Sequence, residues 1–160
     1  MTLNKTLTIF MVLVCTILFS CKKDEDTKAT PTPTVDTTEY FTCKLNTVAY
    51  VDDARFADYT STTTSRVVSQ NADELVRLNI NGQAVGTYTI SSSSTANAII
   101  YVDANGNQYN SISGSIIVTE YSKTNQIISG TFTGVLKKTT DNTQITVTEG
   151  KFNYIELLPF

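Results

Sequence analysis

Three groups of oxygen-bearing side chains have the type and spacing to do chemistry. Asp103, Asn105 and Asn107 stand at alternate positions, as ligands do at the start of a calcium loop. Such a loop also needs Gly at its sixth position and Glu at its twelfth. Counted from Asp103 those positions hold Gln108 and Gly114, so the expectation is a hairpin turn and no metal. Asp52, Asp53 and Asp58 form a second group, read as a solvated acidic loop in preference to a weak cation site. Glu149 and Glu156 share a sheet face if the register slips by one at Gly150. Strand geometry then holds them roughly 20 Å apart, whereas a carboxylate acid/base pair works at about 5–10 Å. There is no His, which excludes His general bases, His triads and His-ligated metals. No nucleophile elbow or phosphate loop is present. The expectation is therefore no catalytic residue and no cofactor, with a carboxylate hydrolase as the one enzyme class left open. Tyr50, Tyr59, Tyr101, Tyr109 and Tyr121 would stack on sugars if their rings were exposed. The reading preferred here is that they cover sheet faces and rims.

The cysteines divide into two kinds. Cys43 lies in the alternating run Phe41-Thr42-Cys43-Lys44-Leu45 and shares parity with Phe41 and Leu45; it is expected to be a buried, inert strand thiol. Cys21 has a different setting. Lys5 is the only charge before residue 22, and residues 7–19 are almost wholly apolar, which is the make-up of a secretory signal too short for a comfortable membrane span. Leu18-Phe19-Ser20-Cys21 then has the form of a bacterial lipobox, implying signal peptidase II cleavage between Ser20 and Cys21 and acylation of Cys21. The thiolate is the nucleophile that such lipid transfer requires, and two or more acyl chains anchor stably where one is marginal. Lys22, Lys23, Asp24, Glu25 and Asp26 come next. An acidic cluster just behind a lipidated Cys resembles the export signal of Bacteroidota lipoproteins, implying the outer leaflet of the outer membrane and exposure at the cell surface. The inner leaflet and a plain solvated charge run are the alternatives.

Residues 22–39 are polar, with Pro31 and Pro33 among many Thr. They bury too little to fold and favour extended chain. The expected organisation is a signal peptide over 1–20, a lipidated Cys and tether over 21–39, and one domain over 40–160. The charge balance of 12 basic against 15 acidic residues and a pI near 4.8 argue against nucleic acid as a partner. The membrane, reached through the lipid, is the partner implied; a glycan or protein partner is left open.

The tyrosines and carboxylates must be positioned by strands. Thr fills 28 positions, and apolar residues recur every second place in segment after segment, the period of a half-buried strand. Val76, Leu78 and Ile80 share a face, as do Tyr88 and Ile90, then Ile112, Gly114, Ile116 and Val118, then Ile128, Gly130, Phe132, Gly134 and Leu136. Ile145 and Val147 have odd parity but Phe152 and Tyr154 even, so a β-bulge is expected near Gly150. Asn81-Gly82, residues 103–107, 123–125 and 140–142 read as turns. Residues 52–65 are expected to be a loop or irregular edge, with a helical turn over 54–59. The matching runs Ile112-Ser113-Gly114-Ser115-Ile116 and Ile128-Ser129-Gly130-Thr131-Phe132 suggest a paired hairpin whose glycines admit a large side chain. The fold class is all-β, an antiparallel meander forming a β-sandwich, with a closed lipocalin-like barrel as the alternative. A sandwich suits a binding or structural accessory module, and a barrel cavity suits a small-molecule or glycan carrier.

Four ordered segments carry a family resemblance: Gly86-Thr87-Tyr88-Thr89-Ile90, the strand from Tyr109 to Tyr121, Ile128-Ser129-Gly130-Thr131-Phe132, and Ile145-Thr146-Val147-Thr148-Glu149-Gly150-Lys151-Phe152. Their order and spacing over roughly residues 40–156 resemble the DUF6252 family, a group of uncharacterised Bacteroidota lipoproteins. Around Cys43 to Tyr50 the chain departs from that pattern, with Thr47 in place of a Gly and Tyr50 in place of a Trp. The resemblance implies the lipid anchor and the all-β fold, and implies no activity.

Overall fold

The computed structural model of the chain describes residues 35–61 and 63–160. Asp36–Phe160 forms one compact unit. It contains ten strands among the described residues: β1 Tyr40–Leu45, β2 Val48–Val51, β3 Ala54–Tyr59, β4 Ser65–Gln70, β5 Leu75–Ile80, β6 Gly86–Ser91, β7 Ala98–Val102, β8 Gln108–Ser122, β9 Ile127–Lys138 and β10 Gln144–Pro159. The alternation of apolar and polar residues becomes alternation of buried and exposed ones, as in β5, where Val76, Leu78 and Ile80 point inward.

All ten strands belong to one sheet that folds back on itself. β10 pairs β9 on one side; on the other it pairs β1 and then, through Leu157, Leu158 and Pro159, β3 in parallel. β8 forks in the same way at the other end of β9, pairing β7 with its first residues and β6 with its later ones. Two layers result, β2-β1-β10-β9-β8-β6 and β3-β4-β5-β7, hydrogen-bonded at two corners. The chain meanders through β1-β2, β3-β4-β5 and β7-β8-β9-β10 and crosses over elsewhere; the β10–β3 pair is its parallel departure. The space that a lipocalin-like barrel keeps for a ligand is filled. Phe41, Phe132 and Phe152 are fully buried with ring centroids 5.1 and 6.4 Å apart, in one cluster with Val67, Leu78 and Ile99. Each such phenylalanine contributes about 1.5–3 kcal/mol.

The long strands bend at bulges. In β10 the inward set runs Val147, then Gly150 and Phe152, then Ile155 and Leu157. The register shifts twice, and the residues at positive φ are Glu149 and Tyr154. The first shift lies where the parity change placed it; the second is a repeat of the same signal. β8 shifts register at Ile112, which sets Tyr109 and Ile116 on the same inner face despite their different parity. The β8–β9 hairpin joins the two matching runs, with Ile116 opposite Phe132 and Val118 opposite Gly130. A Cβ at Gly130 would meet the Phe152 ring at 2.5 Å and the Ile117 carbonyl at 2.2 Å, so glycine is what lets that ring lie against the backbone.

Residues 54–59 are a strand, not a helical turn. β3 pairs β4 along its length and β10 at its end. Two of the three acidic residues read as a solvated loop are buried: Asp52 is 8% and Asp58 9% exposed. Each is closed by an arginine. Arg55 Nη2 donates to Asp52 at 3.1 Å, and Arg66 Nε donates to Asp58 at 3.1 Å. Pairing with a nearby cation lets carboxylates sit in a sheet.

Candidate functional site

Three turns meet at one end of the sandwich. The β1–β2 turn is set by Asn46, whose φ of 54° suits asparagine. Its N–H donates to the Thr146 carbonyl at 2.7 Å, and its side-chain oxygen accepts the Thr146 N–H at 2.9 Å. The β7–β8 turn is organised by Asp103. One of its oxygens accepts the N–H groups of Asn105 and Asn107 at 2.9 and 2.8 Å; the Asn107 amide donates to the other at 2.8 Å. These bonds, led by that of the Asn107 side chain, hold the Asp103 carboxyl below its ordinary range. The hairpin turn expected of Asp103, Asn105 and Asn107 is what forms. In the β4–β5 turn the Asn71 side chain accepts the Glu74 N–H at 2.8 Å and donates to Glu74 Oε2 at 3.1 Å.

Between these turns lies a cavity of about 290 Å³ walled by Tyr50, Glu74, Tyr101, Asp103, Tyr109 and Ile145. The Tyr101 hydroxyl donates to Glu74 Oε1. Burial first, then that bond, drives the Tyr101 phenol upward, so it stays a donor. The Tyr101 and Tyr109 rings lie 5.6 Å apart, tilted by 32°. Tyr50 stands edge-on to Phe41, and burial pushes its phenol up to about 12. Its oxygen accepts from Ser69 at 3.2 Å. Thus Tyr50, Tyr101 and Tyr109 cover the core, as expected, and all three also wall one concave end.

The opposite end of β3 and β4 borders a second concavity, of about 420 Å³, with Asp58, Arg66, Asn79, Asn81, Thr95 and Phe160 on its walls. Its charges are already matched: Arg66 pairs Asp58 and lies 5.3 Å from the centre of the Phe160 ring. Tyr59 and Tyr121 are half-buried nearby. Lys123 sits 4.5 Å from the Tyr59 ring centre, and Tyr121 shares a 3.0 Å hydrogen bond with Ser65.

The other candidates are dispersed. Asp52 and Asp58 are paired at opposite ends of β3, and Asp53 is exposed. Glu149 pairs Lys44 at 2.7 Å on the surface, and Glu156 is exposed farther along β10. Cys43 is buried, with its thiol pushed up to about 12 by desolvation, which makes it inert. Ser20, Cys21, Lys22, Lys23, Asp24, Glu25 and Asp26, which carry the cleavage, lipidation and export expectations, lie outside the described residues. Sequence reasoning passed over Glu74, which precedes the run of Val76, Leu78 and Ile80. The available signal was a carboxylate heading an inward-alternating strand, where a polar head group must find donors.

A family model described as a domain of unknown function, DUF6252, matches residues 37–156. Neither the curated proteins nor the solved structures yield a match.

Proposed function

The chain belongs to the DUF6252 family, and from that premise we propose that it is a lipid-anchored, surface-exposed, non-enzymatic binding module of the outer membrane. The observation that carries the binding part is the position of the concavities: side chains fill the space between the layers, and open ground is left at the two ends. This supports a module that binds at its surface over a carrier that encloses its ligand. The non-enzymatic part rests on the carboxylates, since Asp52, Asp58, Asp103 and Glu149 are each engaged in a pair or a turn. The address rests on the sequence, on the apolar run over 7–19, Ser20-Cys21 and the acidic cluster behind it.

Metabolic labelling with palmitate tests the anchor. Cys21→Ser abolishes labelling and leaves an unprocessed precursor if residue 21 is acylated; unchanged labelling refutes it. Replacing Asp24, Glu25 and Asp26 by Ala lowers protease accessibility on intact cells if they direct export. Equal shaving of both forms removes the surface assignment.

A further inference from the structure

We propose that the cavity between Tyr50, Glu74, Tyr101 and Tyr109 binds a primary alkylammonium group. This rests on the reading of the domain as a binding module and names the ligand class of one of its ends.

Three observations converge. First, Glu74 has no ion-pair partner among the described residues: its oxygens are held by the Tyr101 hydroxyl and the Asn71 amide, both neutral. The Asp103 carboxylate beside it is likewise held by amide donors of its own turn. Second, no Lys or Arg lines the cavity. Lys138, the cross-strand neighbour of Tyr109, has its Nζ 3.1 Å from Asp141. Arg55 is committed to Asp52. Third, Tyr109 is 9% exposed, lines the cavity, and its hydroxyl has no hydrogen-bond partner among the described residues. That oxygen is absent from the buried unpartnered atoms, so it reaches solvent and is free to accept from a ligand.

An ammonium group answers all three. It carries the charge that Glu74 lacks opposite it, and it brings three donors to a carboxylate and a phenol oxygen. The apolar lining at Ile145, Leu45 and Val48 suits a short methylene stem. An anion would meet two carboxylates, and a neutral alcohol would leave the charge unmatched. The contrast with the Arg66 end is direct, because there the carboxylate already has its cation.

The test is a titration of the full-length chain in detergent, read by NMR of the tyrosine rings, with n-butylammonium as probe and n-butanol and butyrate as controls. Saturable shifts at Tyr101 and Tyr109 with butylammonium alone support the proposal. Glu74→Gln, which keeps an acceptor for Tyr101, weakens binding at least about tenfold, and Tyr109→Phe about threefold. Nα-acetyl-lysinamide binding more tightly than butylammonium assigns a lysine side chain as the source of the group; the reverse assigns a free amine. Equal shifts from butanol, or an unchanged affinity in a folded Glu74→Gln chain, overturn the proposal. Labelling and shaving read the anchor separately, so a failed titration removes the ligand class and leaves the address standing.

Discussion

The two ends of the sandwich are built from similar materials and treat their carboxylates in opposite ways. At one, Asp58 receives Arg66 from the neighbouring strand, and Phe160 lies beside the guanidinium. At the other, Glu74 is held in a ring of neutral donors and tyrosines. An internal ion pair completes the fold and leaves little charge for anything else. A carboxylate kept by neutral donors is ordered, yet its charge remains available. The lesson is that the larger concavity need not be the more reactive one.

Mutations can break this comparison. The largest effect is expected from Asp52→Ala, which strands Arg55 beside a nearly inaccessible site and should destabilise the domain by about 2–4 kcal/mol in urea unfolding. Asp58→Ala should cost less, about 1–2 kcal/mol, because about a third of the Arg66 side chain is open to solvent. Glu74→Gln should change stability by less than about 1 kcal/mol while removing the charge. Were Glu74→Gln as damaging as Asp52→Ala, Glu74 would be a fold residue and the contrast would collapse.

The smallest effect concerns the turns. Hydrogen bonds from Thr143 and then Lys138 hold the Asp141 carboxyl down at about 2, and Asp103 is lowered by Asn107. A carboxyl depressed in the folded state stabilises it above the unfolded value, and that contribution is lost as pH falls through the folded one. The window is therefore from about pH 4 down to about pH 2. Carboxyl-carbon NMR titration should place the Asp141 midpoint at about 2 and Asp103 below the usual range; an ordinary midpoint for both would mean that these turns are open.

The strands were legible because burial on one face writes itself as a period of two, clear in Val76, Leu78 and Ile80. The bulge before Gly150 was legible as a change of parity; the one at Tyr154 carried the same mark in Ile155 and Leu157 and went unread. β3 was not legible. Asp52 just before it and Asp58 within it are closed by arginines three and eight positions away, and a single sequence does not say which charges will meet. The site was half visible: Tyr50, Tyr101, Tyr109 and Asp103 stood out as residue types, but their convergence with Glu74 depends on how the turns after β1, β4 and β7 come together. That is set by the fork of β8 and β10 across two layers, which has no local signature.

The proposed address depends above all on where the mature chain begins. Intact mass spectrometry of the protein extracted from membranes reads this directly. The expected species starts at Cys21 and carries the added mass of diacylglycerol and an amide-linked acyl group. An intact Met1, or a bare amino terminus at any residue, would contradict it.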